Sequence, residues 1–259
     1  MRTPRLSRPL FLALCALPLL ALLVAAVFAP LPFSIAMPGT TVNVLGEDRG
    51  KPVITVTGAE TYPTTGQLRM TTISATSPDT TVRLGDVLTG WFAADEAVMP
   101  RDSVYPVGDT VQEVREHNAE TMKESQDDAT TAALRQLDLD PDQVKVQLRL
   151  ADVGGPSAGL LFSLGIVDKL TRDDVTGGEV IAGTGTITGT GKVGAVGGVP
   201  LKTQAAERDG ATVFLVPKAE CAEAEAELPD GLRLVPVTTL DGALDALQAL
   251  KSGGRVPSC

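Results

Sequence analysis

One histidine and three cysteines in 259 residues remove several kinds of chemistry at the outset. A zinc site takes three or four nitrogen or sulfur ligands, or carboxylates in their place, and no Cys/His cluster exists in this chain. With His117 as the single imidazole, a Ser-His-Asp hydrolase finds no support in any motif. Positive charge is scarce too: 22 Lys and Arg stand against 32 Asp and Glu, for a net charge of −10. Nucleic-acid binding needs a basic face to neutralise phosphates, so no nucleic-acid partner is expected. What is present is apolar matter, 43% of residues against 21% charged, enough for a core and too much for a disordered chain. The length suits one to two domains.

The N-terminus carries the first positive signal. Arg2, Arg5 and Arg8 precede an uncharged run from Pro9 to Gly46, of which Leu10 to Ala29 is strongly apolar. Those 20 residues match the length of a membrane-spanning helix, and the preceding arginines place the N-terminus in the cytoplasm. Pro18 is tolerable within such a span. The alternative is a cleaved signal peptide, with Val27-Phe28-Ala29 as its cleavage box and Pro30 after the cut. A lipoprotein processing site at Leu12-Ala13-Leu14-Cys15 lacks the small residue it needs before the cysteine. Without the three arginines the exported remainder is more acidic still, which a solvated surface explains.

From Pro30 to about Gly108 the pattern is extended, with Val53–Thr57 and Leu68–Ile73 as strands between glycine and proline breaks. A helix is expected from Thr110, since Thr110 and Glu113 have capping-box spacing. Val111, Val114, Met122, Ala129 and Ala133 share one face of that helix, and His117 lies off it as a flank or surface residue. Strands follow at Val144–Leu150, from Glu179, at Thr212–Val216 and at Leu232–Val237. Helices alternate with them: a buried one after Ser157, one opened by Pro200 and running to Arg208, and one marked by Leu240, Ala243, Leu244 and Leu247. This interleaving predicts an α/β or α+β fold.

Three constellations could carry chemistry. Gly189-Thr190-Gly191-Lys192-Val193-Gly194 satisfies G-x-G-x-x-G, but Ala195 to Pro200 behind it has the composition of a turn, whereas a dinucleotide site needs a helix N-terminus there. Gly191-Lys192 also fails as a phosphate-binding loop, so no nucleotide cofactor is expected. In Gly154-Gly155-Pro156-Ser157-Ala158-Gly159, a serine stands between a tight turn and a helix, where amide donors could hold an oxyanion. The plainer alternative is that Ser157 caps the helix. The third is Gly197-Gly198-Val199-Pro200-Leu201-Lys202. A lysine in the first turn of a helix meets an unfavourable dipole, and desolvation there pushes it toward the neutral form that a general base requires. Taken singly, Lys202 could equally be a surface lysine.

Gly155-Pro156-Ser157-Ala158-Gly159, Gly183-Thr184-Gly185, Val196-Gly197-Gly198 and Lys202 together resemble the proteolytic domain of the Lon family of Ser-Lys peptidases, over roughly Thr110 to Leu250. The resemblance implies Ser157 as nucleophile, supported by Gly155 and Pro156, with Lys202 as general base and Thr184 orienting the lysine. The N-terminal anchor and the region from Pro38 to Gln126 resemble the membrane-anchored Lon-like proteases of bacteria. Two departures stand out: no AAA+ module is present, and only Asp138 to Gln143 separates the Thr110 helix from the next strand, too little for the PDZ domain such relatives insert. The expected organisation is a cytoplasmic basic tail (1–8), a transmembrane anchor (9–30), a mainly β exported segment (31–108) and a Lon-like proteolytic domain (109–259). The expected activity is ATP-independent cleavage of exported or cell-envelope proteins at the outer face of the membrane, without metal or cofactor. The partners implied are protein or peptide substrates and a homo-oligomeric ring, hexameric by resemblance. A catalytically inactive exported scaffold of the same fold is the competing function.

Cys15 lies within the apolar span, which leaves Cys221 and Cys259 on the exported side, where thiols oxidise. An even pair there suggests a disulfide tying down the chain end, with two free thiols or an inter-subunit link as alternatives.

Overall fold

A computed structural model describes residues 8–108, 110–150 and 153–259. The chain begins with helix α1 (Arg8–Phe28), then strands β1 (Phe33–Asn43), β2 (Glu47–Asp48), β3 (Lys51–Pro52), β4 (Ile54–Thr57) and β5 (Gln67–Ala75). Helix α2 (Leu84–Phe92), strand β6 (Ala97–Pro100) and the short helix α3 (Arg101–Val104) come next, followed by the long helix α4 (Val111–Gln136) and strand β7 (Lys145–Leu148). A 3-10 turn at Pro156–Ala158 leads into α5 (Gly159–Leu170), then β8 (Val180–Gly183), β9 (Thr186–Ile187), β10 (Val193–Gly194) and α6 (Val199–Arg208). The chain closes with β11 (Val213–Pro217), α7 (Cys221–Ala226), β12 (Arg233–Val237) and α8 (Leu240–Lys251).

The main sheet has six strands in the order β12-β11-β8-β5-β1-β6. β12, β11, β8 and β5 run parallel, and β1 and β6 continue the sheet antiparallel. A register shift between Pro38 and Thr41 in β1 bends this end of the sheet into a curl. β11 reads Val-Phe-Leu-Val-Pro and is buried at every position, as a strand covered on both faces must be. Its side chains alternate between two cores. Leu215 joins Val235, Leu161, Leu164 and Leu247 on the α5 and α8 side, and Phe214 joins Val199, Ala206 and Leu234 on the α6 side. Helices therefore cover both faces, and α5 and α6 are separated by the sheet.

The mainly β segment expected over 31–108 supplies β1, β5 and β6 to this sheet, and β4 pairs with β7 from beyond it. It also contains α2 and α3, which the extended pattern did not reveal. Helix α4 starts as its capping box requires: Glu113 N donates to Thr110 Oγ1 and Thr110 N donates to Glu113 Oε2, both at 3.2 Å. The glycine-rich stretch at Gly189–Gly194 is a tight connection between β9 and β10, closed by Thr188 N donating to the Lys192 carbonyl, with no helix behind it to receive a phosphate.

Along α1, leucines 12, 17, 19, 20, 22 and 23 are all more than half exposed. Among the described residues no helix is long and apolar enough to cross a membrane. Arg2 and Arg5 of the expected basic tail lie outside the described residues.

Candidate active site

The turn before α5 is possible because Gly155 takes φ 89°, a left-handed conformation that strains any residue with a side chain. Its amide donates to the Asn118 carbonyl at 3.1 Å, and Ser125 Oγ donates to the Pro156 carbonyl at 2.9 Å. Both partners belong to α4, so that helix holds the turn from one side. Gly159 permits the approach: a Cβ there would stand 2.9 Å from both the Ile187 side chain and Ser125 Oγ. Ser157 sits in the middle of the 3-10 turn, half-buried, and Ala158 rather than Ser157 is the cap of α5. The helix-capping alternative for Ser157 is thereby removed, since no side-chain cap bond forms.

Lys202 approaches from the opposite face of the sheet. α6 opens at Gly198, with φ 68°, and has Pro200 in its first turn, the favoured place for a residue without an amide hydrogen. Lys202 follows in that turn and is only 4% exposed. Burial pushes its ammonium down to about 8, and the nearby carboxylates of Glu223 and Glu220 hold it from falling further. The surface alternative for this lysine is excluded by its burial.

Thr184 joins the two sides. It follows the C-terminal end of β8, where open parallel sheets place their ligands, and it is fully buried. Lys202 Nζ donates to Thr184 Oγ1 at 3.2 Å, and Thr184 Oγ1 donates to the Ser157 carbonyl at 3.3 Å. Gly185 N donates to the same carbonyl at 2.9 Å, and Leu160 N donates back to the Gly185 carbonyl at 3.1 Å. Ser157 and Lys202 are thus linked through one threonine, and no bond runs directly between their side chains among the described residues.

Pro156 is exposed on the rim, and half-buried His117 takes no part in this group. Among the described residues no cluster of three or more His, Cys, Asp or Glu converges as a metal site. Sequence reasoning missed Asn118, Ser125, Glu220 and Glu223. Ser125 had left a signal, because it falls on the buried stripe of α4 with Met122 and Ala129, where a serine needs a partner. The carboxylates had left none. Cys221, at the start of α7, is bonded to Cys259 with the Cα atoms 5.4 Å apart, closing a separation of 38 residues.

The family model for the Lon protease (S16) C-terminal proteolytic domain matches residues 107–249, more than half of the chain. The Lon protease of Clostridioides difficile (strain 630) is 41% identical over 105 residues, 39% of this chain and 13% of that protein. Lon protease 1 of Myxococcus xanthus is 36% identical over 110 residues, 40% of this chain and 13% of that protein. The Lon protease of Mesomycoplasma hyopneumoniae (strain 232) is 36% identical over 94 residues, 35% of this chain and 11% of that protein. The match therefore spans a small fraction of the length of each of these curated relatives.

Proposed function

The chain belongs to the Lon protease (S16) C-terminal proteolytic domain family, and from that premise we propose that it is a serine endopeptidase working through Ser157 and Lys202. The observation that carries the reading is the buried lysine, lowered to about 8 and bonded through Thr184 to the serine turn. A lysine near neutrality is a competent base, and no imidazole competes for the role.

In this reading, neutral Lys202 Nζ takes the Ser157 hydroxyl proton as Oγ attacks the scissile carbonyl carbon. The carbonyl oxygen becomes an oxyanion, and backbone amides of the serine turn hold it, with the positive end of the α5 dipole behind them. Lys202, now an ammonium, gives its proton to the departing amine, leaving an acyl group on Ser157. Water then attacks that ester with Lys202 again the base, and the serine is restored. Thr184 Oγ1, accepting from Nζ, fixes the direction in which the lysine points.

The same reading places the protease at the outer face of a membrane, acting on exported or envelope proteins. Leu10 to Ala29 is apolar, preceded by arginines at 2, 5 and 8, which supports a single-pass anchor with its N-terminus in the cytoplasm. Helix α2 packs against α1 and exposes Trp91 at 72% and Phe92 at 83%, aromatics of the kind that settle at a membrane interface.

Labelling by a fluorophosphonate, mapped to Ser157 by mass spectrometry, tests the nucleophile directly. Hydrolysis at the wild-type rate by a folded Lys202→Ala variant would remove the dyad. Absence of both labelling and hydrolysis in the wild type would leave the inactive scaffold.

A further inference from the structure

A groove of about 1080 Å³ runs along α4 and ends at Gly154, three residues before Ser157. It is joined to the serine turn through Asn118, which lines it and whose carbonyl receives the Gly155 amide. Met122, Leu148, Leu150 and Val153 give it an apolar floor. Among the described residues its walls carry mostly positive charge, whereas the chain as a whole is acidic. Lys51 belongs to β3, Arg115 and Lys123 to α4, and Arg149 directly follows β7. All four are exposed, and no ion pair among the described residues holds any of them. Arg49 lines the groove as well, and Asp48 is the one carboxylate that does so among the described residues.

The placement is selective. Helix α4 carries six carboxylates, at Glu113, Glu116, Glu120, Glu124, Asp127 and Asp128. At about 100° per residue these fall on the side turned from Asn118, Ala119 and Met122, whereas Arg115 falls within that groove stripe and Lys123 at its edge. A chain with net charge −10 repels acidic polypeptides over most of its surface, and this groove is the local exception beside the nucleophile.

We propose that this groove is the substrate-binding cleft and that it selects extended peptide segments rich in Asp and Glu, with apolar side chains seated on the Leu148–Leu150–Val153 floor. The proposal rests on the proteolytic reading above. Cations on both walls attract acidic side chains, and the apolar floor suits a polypeptide rather than a bare polyanion.

The test separates binding from turnover. The full chain in detergent micelles, carrying Ser157→Ala, is titrated with a fluorescein-labelled Glu-rich peptide and with its Gln-for-Glu and Lys-for-Glu counterparts. Expected is tightest binding of the Glu peptide, weakening with added salt. Combining Arg115→Glu with Lys123→Glu should reduce the preference for the Glu over the Lys peptide at least about tenfold. Arg233→Glu, on the far strand β12, should leave the preference unchanged. In the chain with Ser157 intact, kcat/KM for the three peptides should follow the same order. Equal binding of all three peptides overturns the proposal, as does a preference that survives the double charge reversal. Binding with the expected order but no hydrolysis by the Ser157 chain supports the cleft and instead defeats the proteolytic reading. Hydrolysis indifferent to peptide charge does the reverse.

Discussion

Helices α5 and α6 cover opposite faces of one sheet and use burial for opposite ends. In α5, ten successive residues from Gly159 to Asp168 are buried, and most are leucine, isoleucine, valine or phenylalanine. In α6, the buried set includes Lys202 and Thr203. Apolar burial in α5 contributes to stability and fixes the turn that carries Ser157. Burial of an ammonium in α6 detracts from stability and yields a lysine able to lose its proton near pH 8. One helix is stabilised by apolar burial, and the other buries a charge at a cost in stability.

The sharpest test of that contrast is hydrolysis itself. Lys202→Met should lower kcat/KM by about 10²–10⁴-fold while the circular-dichroism spectrum stays native. Lys202→Arg should be as inactive, because arginine cannot deprotonate. A substitution in α5 should act the other way: Leu164→Ala, at a fully buried site, should cost roughly 2–5 kcal/mol in urea unfolding. Turnover per folded molecule should be largely retained.

Stability is where the two helices part most clearly. The Lys202 ammonium titrates at about 8 in the fold and at 10.5 when exposed, so its penalty is present in full below pH 8 and disappears as pH rises toward 10.5. Lys202→Met should therefore be more stable than wild type at pH 7, by roughly 2–3 kcal/mol, and lose that advantage at high pH. A variant less stable than wild type at pH 7 would contradict a desolvated lysine. If Lys202 is the base proposed above, kcat/KM of the wild type should rise through a single ionisation near pH 8 to a plateau. His117→Gln should leave the profile in place.

The smallest effect concerns the one charge that α5 does bury. Asp168 is 1% exposed, accepts from Val175 N through Oδ1 and leaves Oδ2 without a partner. Burial raises its carboxyl from 3.8 to about 6. Its protonated form is favoured by folding, so stability is greatest below about pH 4 and is lost as pH rises through 6. Asp168→Asn should raise Tm modestly above pH 7 and give no such gain near pH 4, read by calorimetry.

The sequence shows some features and hides others for definite reasons. The α4 capping box was legible because Thr110 and Glu113 satisfy one another's backbone locally. Strand β11 was legible because a continuous apolar run between breakers has few other uses, and most of β12 is such a run after Arg233. Helix α2 was missed: its Leu88, Trp91 and Phe92 are exposed, so no buried stripe marks it. Ser157 and Lys202 could be singled out by motif, yet each alone admitted a plainer role as cap or surface residue. Burial of Lys202 and the position of Ser157 inside a 3-10 turn removed those roles, and neither property is written in a local pattern.

The order of elements, the glycine that permits the serine turn and the proline that opens α6 belong to the sequence alone, because each depends on residues within a turn or two. The union of the site was decided by tertiary structure. β5 pairs with β8 across more than a hundred residues of chain, and that pairing sets Thr184 between the two helices. Asn118 and Ser125 brace the serine turn from α4, and the cations of the groove come from three separate elements. Periodicities of two and 3.6 residues specify which face of an element is buried, and they carry no information about which remote element covers it. Desolvation, which lowers Lys202 to about 8, exists only once that cover is in place.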